Sequence, residues 1–222
     1  MTESKIKKLN HYSVDEVIDT YNIKRQRDCV HLQSWLATEG MKLSDFHAQI
    51  LSELPKELIE WQYAWNEEEL KMNFISPVLR VADINQSGKI GTFFERPLIG
   101  KVGDITISVI CDCLVATPKL SGRPNVPYFF LQEAPSRPSP KGKEKKNHDP
   151  EGQMLAAMIL AQELNNDKKP LYGCWIQGKN WNFTVLIDDL YCVSNQFDAT
   201  NIENLYQIVF IVRKLKGLIL NR

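Results

Sequence analysis

The sequence carries no excess of charge of either sign: 27 Lys and Arg balance 27 Asp and Glu over 222 residues. A global electrostatic pull toward nucleic acid or membrane is therefore excluded, and any polyanion site must be a local patch. Paired cysteines are also lacking. The five thiols (Cys29, Cys111, Cys113, Cys174, Cys192) are odd in number and contain no C-x-x-C. That usage fits reduced thiols in a cytoplasm better than a disulfide framework. Cys111-x-Cys113 points to one face of a strand but has no second pair to complete a zinc site. No apolar run reaches membrane-spanning length. Residues 1–8 lack the apolar stretch of a signal peptide. No internal repeat is visible, so solenoid and propeller arrays are excluded.

What is present is enough apolar content, 43%, for a packed core. The length suits one large domain or a domain with an appendage. Residues 1–64 read as a polar helical extension. Ser13 caps one helix, Cys29 to Thr38 forms a second, and Ser44 opens a third that ends before Pro55. His31 and His47 stand alone and read as structural. This extension is expected to pack on the main body or on a second subunit, giving a homo-oligomer or an assembly.

Residues 65–222 read as an α/β domain. Trp65 to Ile84 forms a longer helix with Leu70, Phe74, Val78 and Val81 on its core face, and a kink or break at Pro77. Glu67, Glu68 and Glu69 complement the positive end of its dipole. Strands follow over Thr92 to Ile99, Ile105 to Ala116 and Tyr128 to Glu133, rich in β-branched and aromatic residues. A hairpin centred near residue 122 sets Asp112 roughly opposite Glu133. Like charges facing each other across strands are destabilising, and a cation between them removes the penalty. After Glu133 comes a Pro-rich stretch holding Arg137, Lys141, Lys143, Lys145 and Lys146, which reads as an exposed cationic loop suited to a phosphate backbone. Asp149 caps a further helix with Pro150 in its first turn. Leu171 to Gln177 and Trp181 to Ile187 flank a Gly178 hairpin. Thr200 or Asn201 caps a last helix, where period and cap outweigh the β-branched run Ile208 to Val212.

Four pieces carry a resemblance: Asn66-Glu67-Glu68-Glu69-Leu70 with Ile75-Ser76-Pro77-Val78-Leu79; Asp112-Cys113-Leu114-Val115-Ala116; Pro127 to Glu133; and Gln153-Met154-Leu155-Ala156. Their order resembles the PD-(D/E)xK phosphodiesterase superfamily, the restriction-endonuclease-like fold, over roughly residues 65–217. The resemblance implies a central mixed sheet flanked by helices. It implies Mg²⁺- or Mn²⁺-dependent phosphodiester hydrolysis of DNA, with Glu67, Asp112, Glu133 and Gln153 as catalytic residues. The metal would be held by Asp112, Glu133 and the Ala134 carbonyl, a hard-oxygen set of the kind Mg²⁺ prefers.

One position departs from the family pattern. The motif lysine falls at Pro135. Three options stay open: a neighbouring cation substitutes, the site binds metal and DNA without cutting, or the fold serves as a non-catalytic module for nucleic acid or protein. Arg137 is a poor substitute base because guanidinium stays protonated; Lys141 and Lys143 reach only if the loop folds back. Asp104 is a rival to Asp112 for the metal.

Overall fold

The computed structural model describes residues 7–8, 12–134 and 149–221; the side chains of Lys7, Lys8, Tyr128, Glu133 and Ala134 lie outside that description. Alternating apolar residues through the middle of the chain build a mixed sheet. Its strands are β1 (Lys7–Lys8), β2 (Lys24–Gln26), β3 (Gly91–Val102), β4 (Ile105–Pro118), β5 (Pro124–Ala134), β6 (Leu171–Gln177), β7 (Asn180–Ile187), β8 (Leu190–Val193) and β9 (Phe197–Asp198). The order across the sheet is β1-β4-β5-β6-β7-β8-β2, with β3 on β4 and β9 on β7. Strands β3, β4 and β5 form an antiparallel meander. Helix α6 (Pro150–Asn165) then crosses over, and β6 returns parallel to β5. Such a parallel return needs a crossover of this length.

Helices cover both faces. On one lie α2 (Val30–Leu36), α3 (Asp45–Trp61), α5 (Ser76–Ala82) and α7 (Ile202–Leu220), whose Trp35, Leu51, Val78 and Ile211 share a core with Phe129 and Phe183 of the sheet. On the other lie α1 (Val14–Tyr21) and α6, packed over Ile107, Phe130 and Leu186. Helix α6 is apolar around most of its circumference, which marks a helix enclosed by its neighbours. It sits close on the sheet because Gly173 of β6 has no side chain; a Cβ there would meet Met154 Sδ and Thr184 Oγ1 at 2.7 Å. Among the described residues, no helix is long and apolar enough to cross a membrane.

Helix α3 does not end before Pro55 but runs through it to Trp61. The missing Pro55 N–H costs one helical bond, about 3 kcal/mol. Burial of Leu51, Leu54 and Leu58 along one stripe of the same helix offsets it. The helix after Trp65 does break its pattern near Pro77. Helix α4 (Glu67–Leu70) passes through a π-helical turn (Lys71–Ile75) into α5, with the Ser76 N–H donating to the Lys71 carbonyl.

Residues 1–64 are more than a helical coat. Strand β2 pairs in parallel with β8, and β1 with the start of β4. The sequence Lys24-Arg25-Gln26 has no apolar alternation, so nothing in it signals a strand; it is a wholly exposed edge. Trp35 is fully buried, meets Phe129, Tyr172 and Phe183 edge-on, and donates its Nε1–H to the Ile211 carbonyl at 2.8 Å.

Candidate functional site

A cavity of about 410 Å³ opens where the start of α4, the middle of β3 and β4, the end of β5 and the first turn of α6 converge. Tyr12, Glu67, Glu95, Asp112, Gln132 and Gln153 line it. Three of the four residues expected to be catalytic, Glu67, Asp112 and Gln153, thus meet in one place from three separate elements.

A local fault in the sheet aims the carboxylates. Cys111 belongs to the core under α6, whereas Cys113, two residues on, belongs to the opposite core. The alternation therefore slips phase at Asp112. On the facing strand Glu95 has φ +51°, a left-handed conformation rare for a residue with a side chain. The ladder runs through Phe94↔Cys113 and Arg96↔Cys111, and Glu95 and Asp112 between them form no pair. Such interruptions re-aim side chains at sites, and here both acids turn to the cavity. Asp112 is only 5% exposed. Burial, and next the charge of Asp112, push the Cys111 thiol up to about 12, so no thiolate forms beside it near neutrality.

The hairpin register differs by one residue from the expected facing of Asp112 and Glu133. Cys113 pairs with Leu131, so Asp112 lies level with Gln132. Gln132 lines the cavity and donates its Nε2–H to Gln153 Oε1 at 3.2 Å. The Glu133 backbone pairs with Ile176 and that of Ala134 with Gln177; their side chains lie outside the described residues, as do Arg137, Lys141, Lys143, Lys145 and Lys146 of the cationic stretch. Asp104 sits exposed in the β3–β4 turn, eight residues along the strand from Asp112, roughly 25 Å away, and lines no part of this cavity.

The three adjacent glutamates have separate roles. Glu69 completes a capping box with Asn66: its carboxylate accepts from the Asn66 N–H at 2.8 Å, and Asn66 Oδ1 accepts from the Glu69 N–H at 2.9 Å. Glu68 pairs with the Lys71 ammonium at 3.4 Å. Glu67, half-buried, faces the cavity. Lys71 also binds the Glu95 carboxylate, and its side chain is 7% exposed. It is a cation buried in the wall behind the site. The sequence does hold a signal for it: Lys71 stands at helical spacing with Phe74, Ile75 and Val78, a lysine on the core-facing stripe. Gln132 shares a strand face with Phe130 and was hidden by the register.

Tyr12 comes from the N-terminal segment. Its hydroxyl accepts from the Ser108 N–H at 2.8 Å. Asp149, the α6 cap, accepts from Val14 N at 2.7 Å and from Gly152 N at 3.1 Å, tying that segment to the helix start. The crossing is so close that a Cβ on Gly152 would lie 2.0 Å from the Tyr12 carbonyl oxygen.

The donor set bears on which metal can be held. Among the described residues no three His, Cys, Asp or Glu side chains lie close enough together to cage an ion. A zinc-type site made wholly of protein ligands is not formed by them. Mg²⁺ held by one or two carboxylates plus water and phosphate needs no such trio; Glu67, Glu95 and Asp112 are the carboxylates lining this cavity among the described residues. No protein-family model matches the chain, and a search of curated proteins finds no match.

Proposed function

We propose that this chain is a degenerate metal-dependent phosphodiesterase of the restriction-endonuclease-like type, acting on or binding DNA at the Asp112 cavity. The observation that carries the reading is the meeting of Glu67, Asp112 and Gln153 in one cavity on an α-βββ-α-β framework (α5, β3 to β5, α6, β6). That order, with an antiparallel meander followed by a parallel return strand, agrees with the fold the motifs imply.

In this reading Asp112, with Glu67 directly or through water, holds Mg²⁺ or Mn²⁺. Glu133 and the Ala134 carbonyl complete the proposed ligands. When bound, the ion would polarise a phosphate oxygen and make a hydroxide available near neutral pH. Gln153, oriented by its bond to Gln132, positions a water or a phosphate oxygen. Lys71, bound to the Glu95 carboxylate that lines the cavity, would take the part of the cation that the motif lacks at Pro135, offsetting that carboxylate as negative charge builds on the phosphate oxygens. Arg137, Lys141, Lys143, Lys145 and Lys146 hold the backbone.

A second reading, a module that binds nucleic acid or protein without cutting, is favoured by two residues: Gln132, an amide level with Asp112, and Pro135 at the lysine position. One assay separates the two. Plasmid and single-stranded DNA are incubated with the purified protein in Mg²⁺ or Mn²⁺. Cleavage that disappears in Asp112→Ala supports the enzyme. No cleavage, with Mn²⁺ binding by calorimetry that Asp112→Ala abolishes, supports the binding module. Equal cleavage by both proteins removes Asp112 from the mechanism.

A further inference from the structure

A second cavity, of about 480 Å³, lies on the same face of the sheet and on the other side of the α6 start. Arg25, Arg27, Trp175, Asn182, Ser194 and Asn195 line it. Two of its walls are hydrogen-bond donors left without partners. Asn182 is 5% exposed, and its side-chain Nδ2 group is buried with no acceptor. The indole Nε1–H of Trp175 is buried and equally unmatched. A buried donor without an acceptor is destabilising, so two in one cavity mark a place shaped for an acceptor-rich guest.

The charges there have the same sense. Strand β2 carries Arg25 and leads to Arg27 at the rim. Arg25 is held in place by Glu151, whose Oε1 accepts from Nε at 3.2 Å and from Nη2 at 2.8 Å. Glu151 therefore offsets Arg25, and Arg27 stands as the cation of the mouth. Among the described residues no acidic one lines the cavity. Donors and guanidinium without carboxylates select an anion bearing several oxygen acceptors.

Its location gives the guest a direction. Gln132 pairs with Trp175 across β5 and β6, and Trp175 pairs with Asn182 across β6 and β7. A single transverse row thus runs from Asp112 through Gln132 and Trp175 to Asn182. Three strand spacings of about 4.8 Å make this roughly 14 Å, a span that a few nucleotides of a phosphodiester strand can bridge.

We infer that this second cavity binds a phosphodiester strand a few nucleotides from the phosphate at the Asp112 cavity, with Arg27 on the backbone and the Trp175 and Asn182 donors on phosphate or base oxygens. The direction of the strand rests on the reading of the Asp112 cavity; the binding itself does not.

The test is metal-free. A labelled single-stranded DNA 12-mer is titrated with the full chain in EDTA, following anisotropy from 50 to 200 mM salt. Arg27→Ala changes an exposed side chain and leaves the fold intact, which an unchanged thermal midpoint verifies. The expected result is binding about tenfold weaker, with the salt slope smaller by about one. The same loss in an Asp112→Ala background, whatever that protein's cleavage, supports the cavity independently of the nuclease reading. Identical affinity and slope for Arg27→Ala and the parent overturn the inference, even if cleavage at Asp112 is established. Inorganic phosphate binding that depends on Arg27, with no oligonucleotide binding, overturns the assignment to a strand.

Discussion

Gln132 and Gln153 are joined by a single hydrogen bond of 3.2 Å, which ties the end of β5 to the first turn of α6 at the floor of the first cavity. Gln132 is 3% exposed, so it has little water to turn to if the bond is cut. Gln153→Ala is expected to lower stability by about 1–3 kcal/mol, the penalty of a buried amide left unmatched. Replacing both residues, as Gln132→Leu with Gln153→Ala, should recover part of that loss, because neither polar group then remains. Urea midpoints of the four proteins in the cycle check this; additive losses would mean that the bond carries no coupling.

Lys71 tests a different balance. Its ammonium is buried against Glu95 and Glu68, whose side chains are 51% and 71% exposed, so water can take up both carboxylates when the lysine goes, and the cost of desolvating the ammonium goes with it. Lys71→Met should therefore fold with a thermal midpoint equal to or above that of the parent. Metal-dependent cleavage, in contrast, should fall at least tenfold, and Lys71→Arg should restore part of it. A variant that cleaves normally removes Lys71 from the site.

Much of this arrangement is legible in the sequence, and what is not has physical reasons. The caps at Ser13, Ser44, Asp149 and Asn201 are local, and each side chain accepts the expected backbone N–H. The Gly178 hairpin and the β-branched helix through Ile208 to Val212 are local as well. The register of β4 on β5 starts at the turn, where Pro118 pairs with Pro124, and moves by one residue at each of two irregularities, between Thr117 and Pro118 and between Val115 and Ala116; their sum leaves Gln132, not Glu133, level with Asp112. No periodicity reports a slip of one residue. Strand β2 pairs with residues 166 positions away and Trp35 is buried by partners 94 to 176 positions away, distances at which local pattern is silent.

Glu151 gives a pH signature. Burial raises its carboxyl above the usual range, and the nearby Arg25 lowers it by less. A carboxyl whose folded pKa is raised binds its proton more tightly when folded. Its contribution is therefore most favourable at low pH and declines as pH rises from the unfolded value, 4.5, through the folded one. Glu151→Gln cannot ionise. The stability of the parent relative to Glu151→Gln should thus fall across that window and stay flat above it. Chemical denaturation at intervals from pH 4 upward measures the difference; a difference that rises with pH would reverse the assignment.

The Gly152 crossing is expected to tolerate no side chain. The nearest atom is main chain, 2.0 Å from where a Cβ would stand, so neither a rotamer change nor a small shift relieves it. Gly152→Ala should displace the Tyr12 segment from α6. Protection of the Ser108 amide against hydrogen exchange, which depends on Tyr12, should then drop. Unchanged protection would show that the segment re-docks.

The last prediction concerns the N-terminal 64 residues. If they were a detachable arm, a chain beginning at residue 65 would fold and lose only its partners. Trp35 argues otherwise: it fills the core between the sheet and α7, and Leu32, Leu51 and Leu58 share that core. Removing one such ring, Trp35→Ala, should lower stability by about 3–5 kcal/mol, a large part of what a domain of ordinary stability possesses. Deleting the whole segment also strips the parallel partner from β8 and bares the apolar face of α7. The shortened chain should therefore aggregate, or lack the sharp amide dispersion of a folded protein. A folded, monomeric product by size exclusion and amide spectra would mean that the two cores stand without their N-terminal helices, and would restore the arm as a separate unit.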